Sequence, residues 1–531
     1  MKKLSLLLIG AVGCGSSADV TKDTPGGGAA SKPTAAGDVA IELPGIEVKG
    51  MVFEPEALGR PGMPLVEAKK KITIEKQRTV FSSTKDPVQK EAQAAILATM
   101  LYQKAKDDKA NEKALLSEAR QVLRDAAQGS GDNVDEITLR LLGSYELMLE
   151  DFAAAEKAWG GLVAKTPKDK AAAYNRAWWT FSLLKQFKNA EALAVVKETP
   201  VSDKDPELAY VTAWAKWRAH DDAGAWAALA MASKGWKDNA GRDVVDRDLF
   251  LFAGRSRAPL AEVKPQLFGV LGAKQKPQQY EVLKKLGLQS YGFAGRWDDG
   301  IAALDQAIEL AGDAVPAEDR PLIRFSQADF AVRLGAPDVS VKYATQAIQS
   351  LPKCGAKCSD KDKQDFVLGV LNMGTLFHVL YATANDIKYY QPAHDLYALT
   401  IGLVMDNEKR ADAQKNSAAL ETTLRNTKAG TGTHDKGAVG TLLARHNQEV
   451  QACYEATLTL NPKVSGALSV DVEVDQSGAV TGVSTEPKAG LADMAAVAGC
   501  AAEHAKTWKL PKRGMPGTTR IKVGYALSPR S

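Results

Sequence analysis

The sequence predicts a mainly α protein: a solenoid of helical hairpins followed by a small α+β domain in the order α-β-β-α-β. Three observations predict it. From residue 86 to 426, Ala, Leu and aromatic residues recur at three- and four-residue spacing, the period of a helix with one buried face. Within that stretch, small, bulky and helix-breaking residues return at a longer period of roughly 34 residues. Beyond residue 437 the period changes to two in two separate places, as strands require. A length of 531 residues leaves room for more than one domain, and 45% hydrophobic residues supply the cores. The formal charge of +4 is small and the two signs are interspersed. That argues against a nucleic-acid polymer as partner.

At the amino end, Lys2 and Lys3 precede an apolar run from Leu4 to Val12, too short to span a bilayer as a stable helix. Small residues then lead into Cys14. The arrangement looks like a bacterial lipoprotein signal, cut before Cys14 and lipidated on its thiol. Ala11 stands where the usual pattern has Leu, Val or Ile. An ordinary signal peptide with a chance cysteine is the alternative. Gly15 follows Cys14 in place of an inner-membrane retention Asp. By resemblance to enterobacterial sorting, this favours the periplasmic face of the outer membrane. Residues 14–37 are rich in Gly, Ser, Ala, Thr and Pro and read as a flexible tether, with an r.m.s. span of roughly 25 to 30 Å. No later apolar run reads as long enough to span a membrane, so lipid on Cys14 is the expected attachment. Residues 38–85 read as an irregular lead-in; within it "ITIEKQRTVF" alternates enough to allow a strand. Lys69, Lys70 and Lys71 read as a solvated face.

The hairpin array is clearest in "LRLLGSYELMLEDFAAAEKAWGGLVAKTPKD". Gly143 and Ala155 are small where two helices cross closely, Leu142, Phe152 and Trp159 fill the seam, and Pro167 ends the second helix. Phe187 and Ala190 return at nearly the same interval after Phe152 and Ala155. A looser unit follows at "LAYVTAWAKWRAHDDAGAWAALA", a clearer one at "GRWDDGIAALDQAI", and a further one ends "SVKYATQAIQSLP", with Pro352 after its helix. Residues 236–280 fit no repeat, and residues 365–426 read as two or three more helices. The offsets of Leu142-Gly143, Ala155, Trp159 and Pro167 resemble the tetratricopeptide repeat (TPR). A generic α bundle is the alternative. Trp178, Trp179, Trp214, Trp217 and Trp226 fall at repeat-packing positions and read as solenoid core rather than as a sugar platform.

Residues 427–437 form a second linker, and residues 438–531 the last domain. "VGTLLARHNQEVQACYEATLTLNP" reads as an amphipathic helix. "GALSVDVEVDQSGAVTGVST" reads as a β-hairpin turning at Gln476-Ser477-Gly478. "LADMAAVAGCAAEHAKTWKL" is a second helix and "TTRIKVGYALS" a last strand. Apart from Cys14, four cysteines remain, an even set that suits an oxidising compartment. Cys354 and Cys358, in "CGAKC", read as a small disulfide loop; zinc needs four ligands and this motif supplies two, so no metal is expected.

Cys453-Tyr454-Glu455, Asn461-Pro462, Gly466, Gly478, Cys500 and Trp508 with Pro511 carry a second resemblance. They are similar to the AgmX/PglI-type C-terminal domain, a TonB-like module of myxobacterial envelope and gliding-motility proteins. Leu510 stands where that family often has Phe. The resemblance implies a Cys453–Cys500 disulfide, which would tie both helices to one face of a small sheet. Signal, hairpin array and terminal module together resemble the TPR lipoproteins of the myxobacterial adventurous gliding machinery. This implies an envelope component working with other cell-envelope or motility proteins.

No catalytic motif is recognisable: there is no HExxH, GxSxG, Walker loop or GxGxxG in the right setting. His378, Asp386, His394 and Asp395 are the most suggestive group, but His378 lies in an apolar helical run where a hydrogen-bonded core histidine is commoner. The expectation is a non-catalytic scaffold without cofactor, metal or catalytic residues. Its last strand, with Ile521, Val523 and Tyr525, would be a free edge able to pair with a partner's chain. Peptidoglycan binding or outer-membrane assembly is the runner-up, and an enzyme acting on envelope polymers a third class.

Overall fold

The computed structural model describes residues 37–530, except 57–60, 68–71, 168–170, 198, 237–238, 427–431 and 489–491. The expectations for Cys14, its signal and tether, and Lys69–Lys71 lie outside the described residues. The chain opens with two short strands, β1 (Val39–Glu42) and β2 (Ile46–Gly50), and then α1 (Ile74–Ser83). Helical hairpins follow. They pair α2 (Pro87–Asp107) with α3 (Glu112–Ser130), α4 (Glu136–Met148) with α5 (Phe152–Lys165), α6 (Ala172–Lys185) with α7 (Asn189–Lys197), and α8 (Pro206–Arg218) with α9 (Asp222–Gly235). α10 (Asn239–Arg255) and α11 (Leu260–Val270) break the scheme, since α11 packs mainly on α9; this is the stretch whose sequence fits no repeat. α12 (Lys276–Lys285) runs through a π-turn at Leu286–Tyr291 into the single turn α13 (Gly292–Ala294) and packs on α14 (Trp297–Ala311). α15 (Asp319–Arg333) pairs with α16 (Pro337–Cys354), and α17 (Asp360–Ala384) with α18 (Tyr390–Thr400); α19 (Asn407–Asn426) lies against both of the latter.

The repeat is easiest to see at the turns. The first helices α4, α6, α8, α13 and α15 are each followed by a left-handed residue, at Glu150, Phe187, His220, Gly295 and Gly335. One residue later an N–H reaches back to a carbonyl of the last turn. The bonds are Asp151 to Glu146 at 2.9 Å, Lys188 to Leu183 at 3.0 Å, Asp221 to Lys216 at 2.9 Å, Arg296 to Tyr291 at 3.0 Å and Ala336 to Ala331 at 2.9 Å. These are Schellman closures, which satisfy carbonyls the helix leaves unpaired. Asp151 and Asp221 then cap the next helix through their side chains.

Gly143 does what its spacing suggests. A Cβ there would lie 2.7 Å from the Trp159 indole nitrogen, across the α4–α5 crossing. Gly143→Ala should therefore lower stability by about 1–3 kcal/mol through overpacking, despite the better helix propensity of alanine. Gly499, which has open space around it, should instead gain up to about 1 kcal/mol as Gly499→Ala. Chemical denaturation of the two variants checks both signs.

The terminal domain comprises α20 (Lys436–Ala444), α21 (Asn447–Leu458), β3 (Gly466–Val474), β4 (Val480–Lys488), α22 (Ala492–Ala505) and β5 (Thr519–Pro529). The sheet has five strands in the order β1-β5-β3-β4, with β2 also on β5. β1 and β2 run parallel to β5, pairing Val39 with Thr519 and Ile46 with Tyr525; β3 is antiparallel to β5 and to β4. Leu43-Pro44-Gly45 interrupts the first edge, because Pro44 has no N–H to donate. Helices α21 and α22 cover one face, where Val450, Cys453, Tyr454, Met494, Val497 and Trp508 meet Ile521, Val523, Tyr525 and Leu527.

Several expectations need correction. Residues 38–85 are not merely an irregular lead-in: they begin with two strands of the terminal sheet. "ITIEKQRTVF" is helical within α1, capped by Thr73. The expected single helix before β3 breaks into α20 and α21. Pro352 lies inside the last turn of α16 rather than after it. An apolar run of spanning length does exist in α17, but 61% of its most apolar window is buried, and it packs on α15, α16, α18, α19 and α20.

Candidate functional site

The array has a face built from first helices, and one segment of the chain lies along it. After β2 the chain has no regular structure from Met51 to Glu56. Its main-chain groups bond to side chains. Met51 N–H donates to the Glu455 carboxylate at 3.0 Å, Arg218 donates to the Phe53 carbonyl at 3.0 Å, and Glu56 N–H donates to the Tyr210 hydroxyl at 3.0 Å. Its acids pair with cations: Glu54 with Lys185, and Glu56 with Arg247. The Arg255 guanidinium lies over the Phe53 ring at 5.4 Å. Further along, Gly62 N–H donates to Tyr174 and Val66 N–H to Thr99. Thus after Met51 the strap lies against α10, α8 and α6 over residues 53–56 and reaches α6 and α2 at Gly62 and Val66; α2, α6 and α8 are first helices, and α10 belongs to the irregular α10–α11 unit.

Lys185 and Arg218 sit in the last turns of the first helices α6 and α8, and Arg255 in the last turn of α10, where a cation also complements the helix dipole. The receiving groups are held from behind. Arg218 donates to Leu184 O at 2.7 Å and to Asn189 at 3.0 Å. Tyr210 donates to Asp248 at 2.8 Å, and the Trp214 indole donates to the same oxygen at 2.7 Å. Burial pushes the Asp248 carboxyl above its usual range and lowers Arg218 to about 10.

A second contact region joins the terminal domain to the array. Glu449 accepts from Trp297 of α14 at 3.0 Å, from Trp508 at 2.7 Å, and faces His446 Nδ1 at 3.2 Å. Burial opposes its charge, but the bonds from His446 and Trp508 outweigh that and hold its carboxyl below 4.5. Arg333 covers the Trp297 ring at 4.5 Å and is anchored by Asp329, which also pairs with Arg445. Arg255 pairs with Glu455. Lys512 N–H donates to Asp386 at 2.7 Å, so the terminal domain also reaches the turn between α17 and α18.

The opposite face of the sheet is polar. Glu42, Lys522 and Asp471 are cross-strand neighbours, as are Arg520 and Glu473, and with His434 and Ser484 they line an open cleft of about 1510 Å³.

The expected edge strand is corrected. β5 is paired on both sides, and Ile521, Val523 and Tyr525 are buried at 1%, 0% and 1% exposure. The two amino-terminal strands take up the edge that the terminal sequence alone would leave open. The edge beyond β4 has no strand partner among the described residues. Cys453 is bonded to Cys500 and Cys354 to Cys358, with Cα–Cα distances of 5.7 and 5.6 Å. Trp178, Trp214, Trp217 and Trp226 are buried in the array, and Trp179 half-buried against it.

His378, Asp386, His394 and Asp395 do not form one site. His378 is fully buried and meets the Tyr397 hydroxyl at 3.3 Å; Asp386 caps the turn at Lys388; His394 meets only its neighbour Asp395, at 3.2 Å, and stacks on Tyr390. Among the described residues one metal-type cluster does gather, Cys453, Cys500 and His504, but its two sulfurs are bonded to each other. Burial lowers the His378 imidazole to about 4 from an ordinary 6.5. The unfolded chain therefore binds a proton more readily, and stability falls as pH drops from 6.5 towards 4. His378→Phe should flatten part of that fall, by a few kcal/mol at most, in denaturation midpoints compared across the same pH range.

Sequence reasoning missed the strap and its receptors Lys185, Arg218, Arg247 and Arg255. The available signal was the acid-rich "FEPE" in the lead-in, set against cations recurring at the ends of first helices.

No family model matches the sequence, and no curated protein matches it. Among solved structures, the crystal structure of the P58(IPK) TPR domain aligns with 62% of this chain and 98% of its own length, at 14% identity and a TM-score of 0.19.

Proposed function

We propose that this chain is a non-catalytic scaffold of the bacterial cell envelope, binding other proteins through its first-helix face and its terminal sheet. The observation that carries the reading is the strap. The array holds an extended segment by bonds to main-chain groups of Phe53 and Glu56, and Glu455 of the terminal domain holds Met51, a mode suited to gripping another chain. The envelope address rests on the signal pattern before Cys14 and on two disulfides, which suit an oxidising compartment. Lipid on Cys14 and a tether spanning roughly 25 to 30 Å would lead directly into β1. In this reading the terminal sheet lies nearest the periplasmic face of the outer membrane. The resemblance to gliding-machinery lipoproteins supports a motility complex as the setting. The unpaired side of β4 is a strand edge open to a partner, in place of β5.

Capture from crosslinked envelopes tests the proposal. The full chain should recover other envelope proteins, and Cys14→Ser should leave the membrane fraction. Recovery of none, or a Cys14→Ser protein that still partitions with lipid, contradicts it. Peptidoglycan binding has the open polar cleft in its favour and predicts co-sedimentation of the pure protein with sacculi.

A further inference from the structure

We propose that residues 51–56 hold a place that a partner's chain takes: the face of α6, α8 and α10 is a receptor for an extended acidic segment with an aromatic residue beside two spaced carboxylates. The inference rests on the scaffold reading and names the partner's chemistry.

Three observations carry it. First, recognition is of an extended main chain, through Arg218 to the Phe53 carbonyl and Tyr210 to the Glu56 amide. Any residue can present the carbonyl and any residue but proline the amide. Second, the receptor is organised without the strap. Arg218 is fixed by Leu184 O and Asn189, Tyr210 by Asp248, and Arg247 by Asp248 at 2.6 Å. The groups would keep their places if the strap left, so an incoming chain meets a formed site. Third, the charge is specific. Without the strap, Lys185 and Arg218 have no carboxylate contact among the described residues, since Glu54 supplies the ion pair of Lys185. An acidic replacement restores the balance and a neutral one does not. Within residues 51–56 the Glu56–Arg247 pair is the most open contact, with side chains 50% and 48% exposed, and the chain is held again only at Gly62 and Val66 among the described residues. Exchange can therefore begin at that ion pair and proceed towards the buried Arg218.

The probe is a labelled heptapeptide, GMVFEPE, matching residues 50–56, with GMVFQPQ as its neutral control. Both are titrated against the full-length protein by fluorescence anisotropy. The resident strap competes in the wild type, so apparent affinity is reduced by the fraction of open face. Glu54→Gln/Glu56→Gln weakens the resident and leaves the receptor intact. It should bind GMVFEPE roughly tenfold more tightly than wild type does, and should prefer it to GMVFQPQ by a similar factor. Adding Lys185→Gln and Arg247→Gln should abolish that preference. In the wild type, hydrogen exchange at the Met51 and Glu56 amides should quicken with GMVFEPE and not with GMVFQPQ. Equal binding of the two peptides, or strap amides that stay protected at saturating GMVFEPE, overturns the proposal. Envelope capture with no peptide preference refutes this receptor and leaves the scaffold reading standing. Peptide preference with no captured envelope protein refutes the scaffold reading instead.

Discussion

A Cys453→Ala/Cys500→Ala protein should lose about 4 kcal/mol of stability in its terminal sheet on the chain-entropy model. The bridge closes a loop of sequence separation 47, and it joins α21 to α22 over the buried face of β3 and β5. Removing Cys354–Cys358, with a separation of 4, should cost only about half as much. A chain of several units does not unfold in one step, so a single midpoint would blur the two effects. Hydrogen exchange at β3 and β5 amides reports the terminal sheet separately. Those amides should exchange much faster in the first variant and little changed in the second. Equal effects of the two bridges would show that the terminal sheet does not depend on its cross-link.

Glu449→Ala should weaken the joint between the terminal domain and the array, leaving it to contacts such as Arg255–Glu455 and Lys512–Asp386. The carboxylate meets two indole N–H groups, one from each unit, together with His446. Each buried donor left without an acceptor costs about 1–3 kcal/mol, so the joint loses several kcal/mol in all. Glu449→Gln should not rescue it. An amide offers one acceptor oxygen, and its NH2 group would face the second indole N–H, donor against donor. Trp297 also lies beneath Arg333, so the loss should spread to the Asp329–Arg333–Arg445 cluster. Because the folded carboxyl is held below 4.5, its contribution is complete above that value and disappears as pH falls through the folded pKa. Near-ultraviolet circular dichroism, scanned downwards in pH, should show an acid transition in the wild type that Glu449→Ala lacks. Retention of the wild-type signal and transition by both variants would remove Glu449 from the joint.

Much of the fold was legible because its signals are local. Gly143 faces Trp159 as the spacing required, and the hairpin closes at Gly478, whose φ of +84° suits glycine. What was missed depends on distant chain. Val39, Ile41 and Leu43 alternate, but Pro44-Gly45 cuts the run short, and its partner strand begins at Thr519. No window on the sequence contains both. The mistaken edge at β5 follows from that same omission, since a strand is an edge only relative to its neighbours. The repeat period was hard to follow because the αL position is Gly at 295 and 335 but Glu150, Phe187 and His220 elsewhere. Those three residues advertise no turn, and the Schellman bonds that follow each of them are main-chain features. The strap's receptors were hidden for a different reason. Lysine and arginine at helix ends are common for dipole reasons alone, and only the path of residues 51–56 distinguishes Lys185 and Arg218 from ordinary last-turn cations.

Crosslinking mass spectrometry on intact cells, with a photoreactive residue at Glu56 or at Thr481 on the open β4 edge, tests the scaffold claim most directly. The account predicts adducts with other envelope proteins from either position, and none when the same residue replaces buried Val523. Adducts confined to this chain from both surface positions would contradict it.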